Sequence, residues 1–158
     1  MSFPILSVII FTPIVGALII FALPEDKPLP IKLVSLASAT LSMVLSMYVF
    51  FTYDQAAAGM QFQEQAQWIP SLGISYHVGV DGISLPLLLL TGIIIFCGVL
   101  ISWAKTERIK EFFAFLLILV AGVYGVFAAL DLFLLFVFYE LAVFPIFHRQ
   151  ISPPSLSP

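Results

Sequence analysis

With 158 residues, 61% of them hydrophobic and only 9% charged, the chain lies far from soluble globular composition, in which about a quarter of residues carry charge. Such a chain is an integral membrane protein, and its formal net charge of −3 says little about partners, because in a bilayer the placement of charge matters more than its sum. The single cysteine, Cys97, lies in an apolar run and excludes a disulfide framework or a Cys-rich metal or iron–sulfur site within the chain.

Five runs have the length and apolarity of membrane spans, at about 5–23, 31–52, 83–103, 112–130 and 132–147. The opening MSFPILSVII has no basic residue ahead of its apolar run and no small-residue cleavage site after it, so it reads as a first span rather than a signal peptide. PEDKPLP follows, a tight polar turn in which Pro24, Pro28 and Pro30 are expected to keep the chain non-helical. Residues 53–82 form an extramembrane loop, polar at first and then WIPSLGISYHVGVDG, with Trp68 and Tyr76 suited to the headgroup belt. Asp81 is placed to cap the third span, with Pro86 near its first turn, and Asp131 to cap the fifth. Between spans three and four lies KTERIKE, in which Glu107 and Glu111 are expected to be solvated or paired with Arg108 or Lys110 at little gain.

In a five-span arrangement Lys27, Lys32, Lys105, Arg108, Lys110 and Arg149 all fall on one side. The positive-inside rule then puts the N-terminus and the 53–82 loop outside and the C-terminus in the cytoplasm. Two small-residue stripes predict close helix approach: Ser38, Ser42 and Ser46 on span two, and Ala121, Gly125 and Ala129 on span four. Pro13 predicts a kink in span one.

The fifth run, DLFLLFVFYELAVFPIF at 131–147, holds the chemical oddity, because one carboxylate, Glu140, stands among apolar residues. At about 1.5 Å of rise per residue it sits roughly 12 Å beyond Leu132, well inside a hydrocarbon core about 30 Å thick. The Leu, Ile, Val and Phe residues around it contribute about −0.3 to −0.6 kcal/mol each to insertion, against about +2.5 to +3.5 for a central charge, so the helix still inserts. Desolvation disfavours the charged carboxylate and a nearby cation favours it, so the group can exchange a proton as a neighbour's charge changes. Pro145 has no N–H for the carbonyl of Leu141, which leaves a free acceptor and a kink close to the acid. The alternative is a permanently protonated glutamate that only ties helices together.

No glycine-rich phosphate loop, dinucleotide fingerprint or metalloprotease helix occurs, and nothing suggests nucleic-acid binding. His77 and His148 are too isolated to form a metal site and are expected to be structural or solvated, with contact to a proton exit as the alternative for His77.

WIPSLGISYHVGVDGISLPLLLLT at 68–91 and FYELAVFP at 138–145 together resemble the antiporter-like, proton-translocating subunits of respiratory complex I, closest to the subunit M or chain 4 family. The likeness covers about residues 1–147. It implies an all-α membrane protein truncated relative to a family of about fourteen helices, in a bacterial plasma membrane, in which Glu140 transfers protons with a lysine on a later helix and Pro145 distorts the helix beside it. It also implies other membrane subunits as partners, the proton as transported ion, quinone and NADH handled on other subunits, and no cofactor in this chain. The assembled complex would be an NADH-quinone oxidoreductase; the 158 residues alone are expected not to pump. The family's hydrophobic helix continues where this chain reads HRQISPPSLSP, so residues 148–158 are expected to be an aberrant polar tail from truncation or a shifted frame. The same motifs suit a sodium/proton antiporter or a membrane-bound hydrogenase, and a non-transporting scaffold is the reading from a different class.

Overall fold

The computed structural model describes residues 4–56 and 59–151. The described residues form five helices and one hairpin: α1 (Ile5–Ala22), α2 (Pro28–Thr52), β1 (Gln61–Ile69), β2 (Ile74–Val80), α3 (Ser84–Ile101), α4 (Ile109–Ala128) and α5 (Leu132–Ile151). Single 3₁₀ turns, Pro70–Leu72 and Ser102–Ala104, link β1 to β2 and extend α3.

The helix α4 is the hub, packing on α1, α5, α3 and α2. Its Phe113, Ala114, Leu117, Ala121 and Tyr124 are fully buried. Side chains facing away from the bundle are as apolar as those inside it: Leu18 is 62% exposed, Ile94 61% and Ile101 81%. Water would penalise such a surface and hydrocarbon would not, the arrangement expected of helices apolar on all sides. Four helical segments among the described residues, Ile5–Ala22, Pro28–Thr52, Ser84–Ala104 and Ile109–Ala128, are long and apolar enough to cross a membrane. The fifth expected span is shorter by that measure, with an apolar part of Leu132–Pro145.

Other expectations change in detail. Pro28 and Pro30 do not hold the first connection open; they lie in the first turn of α2, where an N–H is not needed for the helix ladder. The fourth helix begins at Ile109, three residues before the expected span. The helix α5 does not stop at Phe147 but continues through Ile151. Residues 152–158, including Pro153 and Pro154, and the side chains of His148 and Arg149 lie outside the described residues.

The loop at 53–82 contains an antiparallel hairpin, with Gln65 opposite His77 and Gln67 opposite Ser75. Its sequence carries the alternation of a strand, with Gln61, Gln63, Gln65 and Gln67 interleaved with Phe62, Glu64, Ala66 and Trp68. A register shift between Gln61 and Glu64 coincides with Phe62 at a φ of 53°. The β2 strand is tied to the turn before α5: Val78 bridges Ala129, and the Leu130 N–H donates to the His77 carbonyl at 2.9 Å.

The serine stripe on α2 does what its spacing predicts. Ser35, Ser38, Ser42 and Ser46 are buried, and Gly16 of α1 lies so close to Ser38 that a methyl group there would collide with its hydroxyl. Pro13 leaves the Ile9 carbonyl without its intrahelical donor, and the Ser42 hydroxyl reaches across from α2 to it at 3.4 Å.

Candidate functional site

Asp131 starts α5 as expected, its Oδ1 accepting from the N–H groups of Phe133 at 2.8 Å and Leu134 at 3.2 Å. From there Leu134 and Phe138 turn inward and are buried. The contact with α4 runs through Gly122 and Gly125 rather than the expected Ala121, Gly125 and Ala129. A Cβ on Gly122 would lie 2.6 Å from the Ala142 nitrogen and 2.8 Å from its Cα, and one on Gly125 would enter the Phe138 ring. Ala121 instead faces the bundle interior, and Ala129 terminates α4.

This packing leaves Glu140 on the outer side of α5, exposed beside Val137, Tyr139 and Phe144. Its carboxylate makes no hydrogen bond or ion pair with any described residue. The sequence placed the acid deep in a span; the structure adds its direction, away from the four other helices. Pro145 is internal to α5 and buried, on the opposite side from the acid. No His, Cys, Asp or Glu cluster of three or more that could hold a metal occurs among the described residues. Cys97 is exposed on α3.

The basic residues described lie at the end of the bundle opposite the hairpin. Lys32 Nζ donates to the Trp103 carbonyl at 2.6 Å and stands 6.0 Å from the centre of its ring, and Lys105 stands 4.9 Å over Phe112. Arg108 pairs with Glu111 at 2.7 Å; both are well exposed, so the pair contributes little.

At the hairpin end a second carboxylate has a role that sequence reasoning missed. The Glu64 Oε1 accepts from the Leu6 N–H at 2.7 Å and its Oε2 from the Ser7 N–H at 3.0 Å and from the Ser7 hydroxyl. Tyr76 Oη lies 2.9 Å from Ser7 Oγ. Burial pushes the Tyr76 phenol up from its ordinary value of 10.0, opposed by its hydrogen bond to Ser7 and reinforced by the charge of Glu64. The alternation of Glu64 with its glutamine neighbours was the available signal; nothing local points to α1. Trp68 itself packs edge-on against Phe133. His77 Nε2 lies 3.2 Å from Gln63 Oε1 on the hairpin.

Among known proteins, the chain is 40% identical over 146 residues to NAD(P)H-quinone oxidoreductase chain 4 of Gloeobacter violaceus, matching 92% of this chain. It is 38% identical over 146 residues to F(420)H(2) dehydrogenase subunit M of Methanosarcina mazei, matching 91% of this chain. Over about nine-tenths of its length this chain is a homologue of chain 4 and subunit M proteins.

The likeness extends to a chloroplastic chain 4 from Chara vulgaris, 36% identical over 147 residues and 92% of this chain. These three matches cover 27%, 29% and 30% of the relatives, so the chain spans somewhat more than a quarter of the length of the chain 4 and subunit M proteins it matches. No protein-family model matches it.

Proposed function

We propose that this chain supplies the membrane arm of a proton-translocating quinone oxidoreductase with Glu140 as a proton-exchanging carboxylate. The observation that carries the reading is a single unpaired acid on an apolar helix, aimed out of the packed helices toward whatever lies beside α5. Low-dielectric surroundings favour the neutral form of a carboxyl group and a nearby cation the ionised form. Approach of that cation favours release of the proton, and its withdrawal favours uptake of another. A proton can therefore pass through Glu140 each time a neighbour's charge alternates.

Pro145 takes a supporting part in this reading, since the carbonyl it leaves without a helical donor belongs to Leu141, the residue next to the acid. The partners are further membrane helices and other membrane subunits, with quinone and NADH handled elsewhere in the assembly and no redox group on this chain. The basic end of the bundle faces the cytoplasm and the hairpin the outside of a bacterial plasma membrane.

The names of the relatives favour one second reading at the level of the electron donor. NAD(P)H-quinone oxidoreductase and F(420)H(2) dehydrogenase differ in what they oxidise, so a subunit common to both fits proton movement better than donor recognition. A donor other than NADH is therefore compatible with the same role for Glu140. Glu140→Gln in the assembled complex tests the reading: electron transfer with proton movement lost supports it, and undiminished proton movement refutes it.

A further inference from the structure

We infer that Gly122 and Gly125 are positioning residues: they fix the rotation of α5 about its own axis and thereby aim Glu140 out of the bundle. The inference rests on the role proposed for Glu140, but concerns where the carboxylate points rather than what it does. Two side chains of different size seat on the two glycines. Ala142 meets Gly122 through its backbone, at 2.6 Å from nitrogen and 2.8 Å from Cα to a Cβ built there, while Phe138 lays its ring on Gly125. At about 100° per residue, Glu140 lies roughly 140° around α5 from the middle of the seam formed by Leu134, Phe138, Leu141, Ala142 and Pro145. A small turn of α5 would therefore sweep the carboxylate along the bundle surface, and with no bond from Glu140 to any described residue, the α4 contact governs its direction.

The two glycines are predicted to respond differently to substitution. At Gly125 the obstacle is a side chain, which can be shortened; at Gly122 it includes backbone, which cannot. Spin labels on native Cys97, exposed on α3, and on Glu140→Cys give a distance that reports the direction of position 140 in the otherwise intact chain in bilayers. Gly122→Ala should move the mean distance by about 1 Å or more, or split it, because ordinary carbon contacts need about 3.5–4.0 Å. Gly125→Ala should do the same and be restored by Phe138→Leu, whereas Ala142→Gly should not restore Gly122→Ala. Gly82→Ala, whose new methyl meets only the Tyr53 hydroxyl at 4.0 Å, should leave the distance unchanged. Should Gly122→Ala fail to fold, the Gly125 and Phe138 pair decides the matter by itself. An unchanged distance in Gly125→Ala, or a shift that Phe138→Leu does not reverse, overturns the inference. Because the measurement reads position and not proton movement, its failure would leave the Glu140→Gln test of function standing.

Discussion

Glu64 caps the first turn of α1 across 57 residues of sequence, its carboxylate accepting both the N–H and the hydroxyl of Ser7. The first turn of any helix has N–H groups without partners, and Pro4 ahead of α1 offers no side-chain acceptor. A carboxylate there satisfies the Leu6 and Ser7 amides and lies at the positive end of the helix dipole. The hairpin is thereby fastened to α1 at one strand and, through Val78 and His77, to the entry of α5 at the other.

Removing that cap should be felt at both ends of the contact. Hydrogen bonds to a charged group contribute about 1.5–3 kcal/mol, so Glu64→Ala should destabilise the protein by about that amount and Glu64→Gln by less. Denaturation in detergent measures the loss. Amide exchange should accelerate at Leu6 and Ser7, and unchanged protection there would mean that the amides find other partners.

How much of this was legible in the sequence depended on range. Hydropathy located the helical runs, and Asp131 and Asp81 announced their caps because a capping side chain acts within three residues. Glu64 had no such signature, since its partner is set by tertiary structure. The outward direction of Glu140 was also hidden: α5 is apolar on nearly every side, so periodicity could not say which face would find α4. The choice fell to Gly122, one residue from Ala121, which the stripe at four-residue spacing had singled out. The clustering of the described basic residues at one end of the bundle was legible, because the end a charge occupies follows from its loop and not from what it touches.

The serine and proline pair on α1 and α2 should behave as a coupled unit. Interhelical hydrogen bonds in membranes average about 0.6 kcal/mol, so Ser42→Ala should cost about that much while Pro13 leaves the Ile9 carbonyl open. In a Pro13→Ala background the alanine N–H can serve that carbonyl, and Ser42→Ala should become nearly neutral. A double-mutant cycle of unfolding free energies measures the difference; additive effects would mean that the 3.4 Å contact contributes nothing.

At Gly16 the expected effect is steric. Gly16→Val places a branched side chain against Ser38 and against Leu117 Cδ1, which already lies 3.1 Å from a Cβ at this position. Overpacking of this kind costs about 1–3 kcal/mol. Thermal unfolding should detect it, and Gly98→Ala on α3, where nothing lies within 4 Å, should show no comparable steric loss.

The hairpin end should also set the pH limits of stability. The Ser84 backbone and side-chain hydrogen bonds hold the Asp81 carboxyl below its ordinary value of 3.8. Its contribution is present above that value and is lost as pH falls through the lowered one. Tyr76 is shifted the other way, so its contribution is present below 10.0 and is lost as pH rises through the raised value. Stability followed across pH should show Asp81→Asn weakening the acid-side dependence and Tyr76→Phe the alkaline-side dependence. Profiles that these substitutions leave unchanged would contradict the assignment.

The role proposed for Glu140 is tested most directly by proton uptake in sealed membrane vesicles carrying Glu140→Gln within the proposed oxidoreductase assembly, with electron transfer and subunit content measured in parallel. Glutamine keeps the size and polarity of the side chain but has no proton to exchange in the working pH range. The expected result is normal assembly with fewer protons moved per electron. Normal assembly with an unchanged proton yield would contradict it and leave α5 a structural helix.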